Sequence, residues 1–136
     1  MRVFLDANVL FSAANAGSQM DQLVQEMLGI FEIITSDYAS DEALRNIHRK
    51  RREWAAGFER LLKQLRIVLS IDQPSLRLIA EKDRPILATA LKHRCDYLVT
   101  GDKRDFGHLF GVSIEGLTIL TPVEMARVCE GKVGEQ

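Results

Sequence analysis

Short apolar runs alternate with helically spaced apolar positions along almost the whole chain. Arg2-Val-Phe-Leu-Asp6 reads as a first buried strand. Met20, Leu23, Val24, Met27 and Leu28 recur at helical spacing and predict a helix over 19–29. Phe31-Glu-Ile-Ile-Thr35 reads as a second strand, and Ala43, Leu44 and Ile47 mark a helix over 38–50. Trp54, Phe58, Leu61, Leu62 and Leu65 predict another over 52–65, ahead of a third strand at 67–70. Ile86, Leu87, Ala90 and Leu91 share a face of a helix over 84–93, which feeds a fourth strand at 97–100. Leu117-Thr-Ile-Leu120 is a fifth, and a last helix starts after Thr121-Pro122.

Strand and helix in alternation predict an α/β fold: a parallel five-stranded sheet covered on both faces by helices. The strand runs are short and nearly all apolar, as doubly covered strands require. No repeat, low-complexity run or Pro/Gly-rich linker divides the sequence, so residues 1–136 are expected to form a single three-layer α/β/α domain. No apolar run approaches the ~20 residues that cross a bilayer. Asp6 cuts short the first apolar residues, so neither a membrane partner nor a secretory leader is expected. Two cysteines, Cys95 and Cys129, make neither a disulfide framework nor a zinc site and read as small core residues in a reducing, cytoplasmic setting.

The net charge of −1 hides an asymmetry. Residues 45–66 hold eight Lys and Arg against two Glu, a net +6, which leaves −7 for the rest of the chain. A near-neutral total argues against a general nucleic-acid coat, but a local basic stripe suits a phosphate-backbone partner.

In sheets of this kind ligands bind beyond the carboxyl ends of the strands, where strand order reverses. Asp6 closes the first strand and Asp102 follows the fourth. Glu42 lies on the first turns of the helix after the second strand. Asp83 precedes its strand, so its helix must present it back across the same edge. Bare carboxylates gathered at one point push one another's pKa values up. A hard dication removes that conflict, and an oxygen-only donor set suits Mg²⁺ or Mn²⁺, held singly or as a pair, rather than zinc. More ordinary roles compete at each position. Asp102 and Asp105 form a cap-like pair for a short helix starting at Lys103. Asp83 suits the N-cap of the helix containing Pro85. Asn8 suits a tight turn. His48, His93 and His108 read as surface residues, and Trp54 and Phe58 as core or a partner surface.

The segments Phe4-Leu-Asp-Ala-Asn-Val-Leu10, Ser40-Asp-Glu-Ala-Leu44, Asp83-Arg-Pro-Ile-Leu-Ala-Thr-Ala90 and Thr100-Gly-Asp-Lys-Arg-Asp-Phe106 together resemble the PIN-domain family. Within that family the chain looks like the toxin-like ribonucleases of toxin–antitoxin pairs. The resemblance implies a strand order of 3-2-1-4-5 and a Mg²⁺- or Mn²⁺-dependent endoribonuclease with RNA as substrate. It further implies an antitoxin protein as partner and a homodimer. Asp6, Glu42, Asp83 and Asp102 match the family's acidic quartet as catalytic and metal-binding residues. Asp105 matches a further, more variable acid, and Asn8 and Thr100 match positions that orient the acids. Ala7 departs from the family's frequent Thr, which removes a hydroxyl but no ligand. Lys103 and Arg104, beside the acids, are candidates to hold RNA phosphate.

Three other readings compete. A phosphatase with an aspartate nucleophile would want a second Asp two residues after the first, where Asn8 stands. A phosphoacceptor receiver domain would want a Lys after the fifth strand, and none follows Leu120 nearby. The rival of a different kind is a non-enzymatic module whose acidic pocket accepts a basic partner segment.

Overall fold

The computed structural model describes residues 1–134. A six-stranded sheet in the order β3-β2-β1-β4-β6-β5 runs through it, formed by β1 (Arg2–Leu5), β2 (Glu32–Ser36), β3 (Arg66–Val68), β4 (Tyr97–Val99), β5 (Ser113–Ile114) and β6 (Leu117–Leu120). Every pairing is parallel except β5 with β6. The five expected strands stand in the expected order, with β6 as the fifth. The sixth, β5, is a two-residue edge strand that folds back on β6 through Glu115-Gly116. Both turn residues have positive φ, 50° and 87°, the geometry that matches the twist of a two-residue hairpin. The turn lacks the Asn-Gly or Asp-Gly pair that would have announced it.

Among the described residues, seven α-helices accompany the sheet: α1 (Ala7–Ala13), α2 (Gln19–Leu28), α3 (Asp37–Lys50), α4 (Ala55–Gln64), α5 (Arg84–Lys92), α6 (Lys103–Phe106) and α7 (Pro122–Gly134). Right-handed crossovers place α1 to α4 over one face of the sheet and α5 over the other. Val3, Phe4 and Leu5 of β1 and Leu98 and Val99 of β4 are fully buried between these layers. Each such large side chain contributes about 1.5–3 kcal/mol by leaving water. The helix expected over 52–65 is interrupted: Arg51 leaves helical geometry at φ −148°, and a single 3-10 turn, Arg52–Trp54, precedes α4. Where α4 crosses α1, Gly57 lets the backbones touch; a Cβ there would collide with the carbonyl oxygen of Ala14.

The chain moves from β1 towards β2 on one side and returns to β4 on the other, so strand order reverses between β1 and β4. Leu5 pairs with Val99 at that seam, and the N–H of Asp6 donates to the Val99 carbonyl at 3.1 Å. The ends of the two strands therefore lie side by side. Among the described residues, no helix is long and apolar enough to cross a membrane.

Candidate metal centre

Asp6 leaves β1 in extended geometry and caps α1, its Oδ1 accepting from the Ala7 N–H at 2.7 Å. Its Oδ2 accepts from the Thr100 hydroxyl at 2.8 Å and the Asn8 amide at 3.1 Å. Thr100 also accepts from Asn8 at 3.2 Å and from the Asp102 N–H at 3.1 Å. Asn8 Oδ1 in turn accepts from the Gly101 N–H at 2.7 Å. Asn8 and Thr100 thus lace the first turn of α1 to the loop after β4. A Cβ on Gly101 would stand 3.3 Å from Asn8 Oδ1, so glycine leaves room for that strap. Asp6 is almost wholly buried, and burial, with the negative charges of Glu42 and Asp102 beside it, pushes its pKa up to about 6 against the opposing hydrogen bonds.

Asp102 caps the short α6, accepting from the Asp105 N–H at 3.0 Å. Only half of the expected cap-like pair forms: the Asp102 N–H donates to Thr100 and the Asp105 carboxylate pairs with Lys82, so Asp105 does not reach back to the cap. Asp83 does not cap α5. It sits at the end of the 3-10 turn Glu81–Asp83 in helical geometry already, and Pro85 removes an N–H that a capping side chain would have met. Its side chain is turned into the acidic cluster instead. One carboxyl oxygen each from Asp83, Asp102 and Asp105 lies within 4.8 Å of the other two. Asp83 Oδ2 is buried with no hydrogen-bond partner. Burial and the adjoining Asp105 carboxyl push Asp83 up to about 7, while the Lys82 ammonium holds Asp105 below the usual carboxylate range.

Asp6, Glu42, Asp83 and Asp102 all line one cavity of about 470 Å³ at the carboxyl edge of the sheet. Asp6 and Glu42 lie outside the tight group formed by Asp83, Asp102 and Asp105. Lys103 and Arg104 are exposed on α6 and do not line the cavity. Lys82 does: its Nζ lies 3.0 Å from Asp105 Oδ2, and its carbonyl accepts from the Tyr38 hydroxyl at 2.6 Å. Lys82 and Tyr38 were not singled out from the sequence, since nothing in the spacing says that Tyr38 of α3 meets residue 82. Asn46, another lining residue, was legible in principle, one helical turn after Glu42.

The donor set fits a hard dication: every candidate ligand is a carboxylate, three of them converge, and one buried carboxyl oxygen has nothing else to bind.

A parallel sheet with acids at its reversal point defines a class of α/β proteins that includes phosphoryl-transfer enzymes. The sequence model of the PIN domain matches residues 2–104, and the chain belongs to the PIN-domain family. No curated protein sequence matches it. Among solved structures it resembles VapBC2 of Rickettsia felis bound to a promoter DNA fragment: TM-score 0.64 and 16% identity, covering 89% of this chain and 98% of that one. VapBC-1 of nontypeable Haemophilus influenzae gives 0.61 and 15%, over 90% and 99%. VapC20 of Mycobacterium tuberculosis, described as a toxin cleaving the sarcin-ricin loop, gives 0.57 and 16%, over 83% and 97%. At these identities the likeness speaks for the fold.

Proposed function

We propose that the chain is a Mg²⁺- or Mn²⁺-dependent endoribonuclease and the toxin of a toxin–antitoxin pair. The observation that carries this reading is the Asp83–Asp102–Asp105 convergence, with an orphaned Asp83 oxygen, opposite Asp6 in the same cleft. Asp6, Asp83, Asp102 and Asp105 would hold the ion, with Glu42 completing its surroundings from α3. A bound dication supplies an activated water and neutralises the charge that grows on the phosphate oxygens during hydrolysis. Thr100 and Asn8 hold the Asp6 carboxylate in one orientation, so little reorganisation is needed when substrate arrives. Glu42, exposed on the α3 wall of the cleft, would take a proton from the attacking water. Lys82, at the mouth, offers an ammonium to a non-bridging phosphate oxygen.

The fold neighbours described as VapBC assemblies support an antitoxin as the protein partner. On the same reading the working form is a cytoplasmic homodimer of one PIN-like domain per chain.

The test is cleavage of single-stranded RNA by the purified protein in Mg²⁺ or Mn²⁺, with chelator and with Asp6→Asn. We expect cleavage that chelator abolishes and that Asp6→Asn lowers by roughly 10²–10³-fold, the effect of losing several kcal/mol of metal-dependent stabilisation. Metal-independent cleavage, or full activity in a folded Asp6→Asn protein, defeats the proposal.

A further inference from the structure

Helix α3 begins at the carboxyl edge of the sheet and runs away from it along the flank of the molecule. Its Ala39, Ala43 and Ile47 are buried, and the adjoining strip carries Glu42, then Arg45 and Asn46, then Arg49. Glu42 and Asn46 both line the cleft. Arg49 continues it directly, its guanidinium donating to Asn46 Oδ1 at 2.8 Å. Arg49 lies seven residues beyond Glu42, about 10 Å along the axis at 1.5 Å per residue. Beside the end of α3, His48, Arg52 and Ala55 line a shallow concavity of about 340 Å³.

The charges on this strip have no acidic partner, although Arg49 donates to Asn46, Arg52 donates to the His48 carbonyl and Arg51 lies over the Trp54 ring. Arg45, Arg49, Lys50, Arg51 and Arg52 are all exposed, and among the described residues none lies within 4 Å of a carboxylate oxygen. Arg2, Arg66, Lys82 and Arg84 behave differently, each pairing with an acid. Five uncompensated cations begin where an acidic cleft ends, on a chain that is otherwise net negative. An anion that enters the cleft needs such a neighbour, because the acids themselves repel it.

We propose that this strip of α3 and the Lys50–Arg52 junction form a track for one flank of the single-stranded RNA whose scissile phosphate lies in the cleft. The proposal rests on the nuclease reading. The cleft, at about 470 Å³, is the size of a small-ligand pocket and takes one or two nucleotides rather than a duplex. Guanidinium and ammonium groups on a helix flank meet phosphates, not base edges, so the track adds affinity without sequence preference. It also gives the strand a direction, with one flank on α3 and the other leaving past α6.

The experiment compares the full-length wild type with Arg45→Gln/Arg49→Gln/Lys50→Gln and with a charge-matched control, Lys92→Gln/Arg127→Gln/Lys132→Gln. Each variant's fold is checked by its melting curve. Binding of a labelled mixed-sequence single-stranded RNA is followed by anisotropy in Ca²⁺ buffer over a range of salt, and cleavage of the same RNA is measured separately in Mg²⁺ and Mn²⁺. We expect the α3 variant to lose roughly tenfold or more in affinity at low salt, with a salt slope smaller by about 2, at ~0.7 per phosphate contact. The control should follow the wild type. Equal affinities for the two variants, or no RNA binding by the wild type, overturn the track. So does an α3 variant that keeps its RNA affinity but loses affinity for polyglutamate, which would assign the strip to an acidic protein. Loss of binding in the α3 variant alongside a wild type that cuts nothing in either metal would instead overturn the nuclease reading and leave the track standing.

Discussion

On the α1 wall of the cleft the Asp6 carboxylate accepts three hydrogen bonds; on the α5 wall the Asp83 Oδ2 is buried and accepts none. Asp6 belongs to a closed network that ties β1, α1 and the end of β4 together. Asp83 has carboxylates as its dominant neighbours and shares its surroundings with Asp105, with Lys82 a weaker opposing charge. The two walls do different jobs. The first is held in place by the fold whatever the solvent contains. Both carboxylates hold their protons above the ordinary Asp range, but only the second also has a buried oxygen with no partner, a conflict that a proton or a cation would relieve.

The largest test of that difference is pH. Asp6 and Asp83 both hold their protons more tightly in the folded chain than an unfolded Asp does, so the folded state binds more protons through the window from about pH 4 to pH 7. Their contribution is therefore present at pH 4 and lost as pH rises through 6 and 7. Asp6 alone, moved from 3.8 to about 6, represents on the order of 3 kcal/mol. Asp37 works the other way. Its hydrogen bonds from the Ser70 and Tyr38 N–H groups lower its pKa, so its contribution is lost only in stronger acid, below the usual Asp value. Without metal, the melting temperature should fall by roughly 10 °C between pH 5 and 7.5. Mg²⁺ or Mn²⁺ should abolish most of that fall, the cation taking the proton's place. A flat metal-free profile across this window would mean that neither wall is under charge stress.

A smaller effect separates the walls directly. Thr100→Val keeps the side-chain shape but removes the hydroxyl that donates to Asp6 and accepts from Asn8 and the Asp102 N–H. Thr100 and Asp6 are both buried, so the lost hydroxyl leaves a buried carboxylate oxygen one bond short, and the loss should be about 2 kcal/mol in stability. Asp83→Asn removes a charge with no partner to lose on Oδ2, and should raise the metal-free melting temperature while cancelling the rise that Mn²⁺ produces. If both substitutions lower metal-free stability alike, the distinction between a satisfied wall and a stressed wall disappears.

How far the sequence could reach follows the same division. Asp6 and Asp102 end apolar strands, and a charge at the end of a buried run is visible in one dimension. The five main strands and the helices α2, α3 and α5 are legible from periodicity, whereas the strand order comes only from the resemblance to the PIN-domain family. Helix α1 is not, because its buried Ala7, Val9, Leu10 and Ala13 follow β1 with only Asp6 between, and the two periods blur. Asp83 reads as an N-cap from its place before Arg84-Pro85. Only the backbone of the preceding 3-10 turn shows that it cannot cap and faces the acids instead. The meeting of Asp83 with Asp105, and of Tyr38 with Lys82, depends on how loops close over the sheet edge, and no spacing encodes it.

The smallest effect concerns Lys82, among the described residues the one cation that forms an ion pair with the acids of the stressed wall. Its ammonium sits 3.0 Å from Asp105 Oδ2, and the hydroxyl of Tyr38 pins its carbonyl. In the metal-free protein it supplies part of the positive charge that the cluster lacks, and it lowers the Asp105 pKa. A dication must displace it or share Asp105 with it. Lys82→Met should therefore tighten Mn²⁺ binding, measured by calorimetry, but by no more than about two- to fivefold, since an exposed ion pair is weak. The same change should raise KM for RNA, because the ammonium released by the metal is then missing from the phosphate. Weaker Mn²⁺ binding in Lys82→Met would show that the lysine supports the metal site instead of competing with it, and the stressed wall would then extend one residue less than its geometry implies.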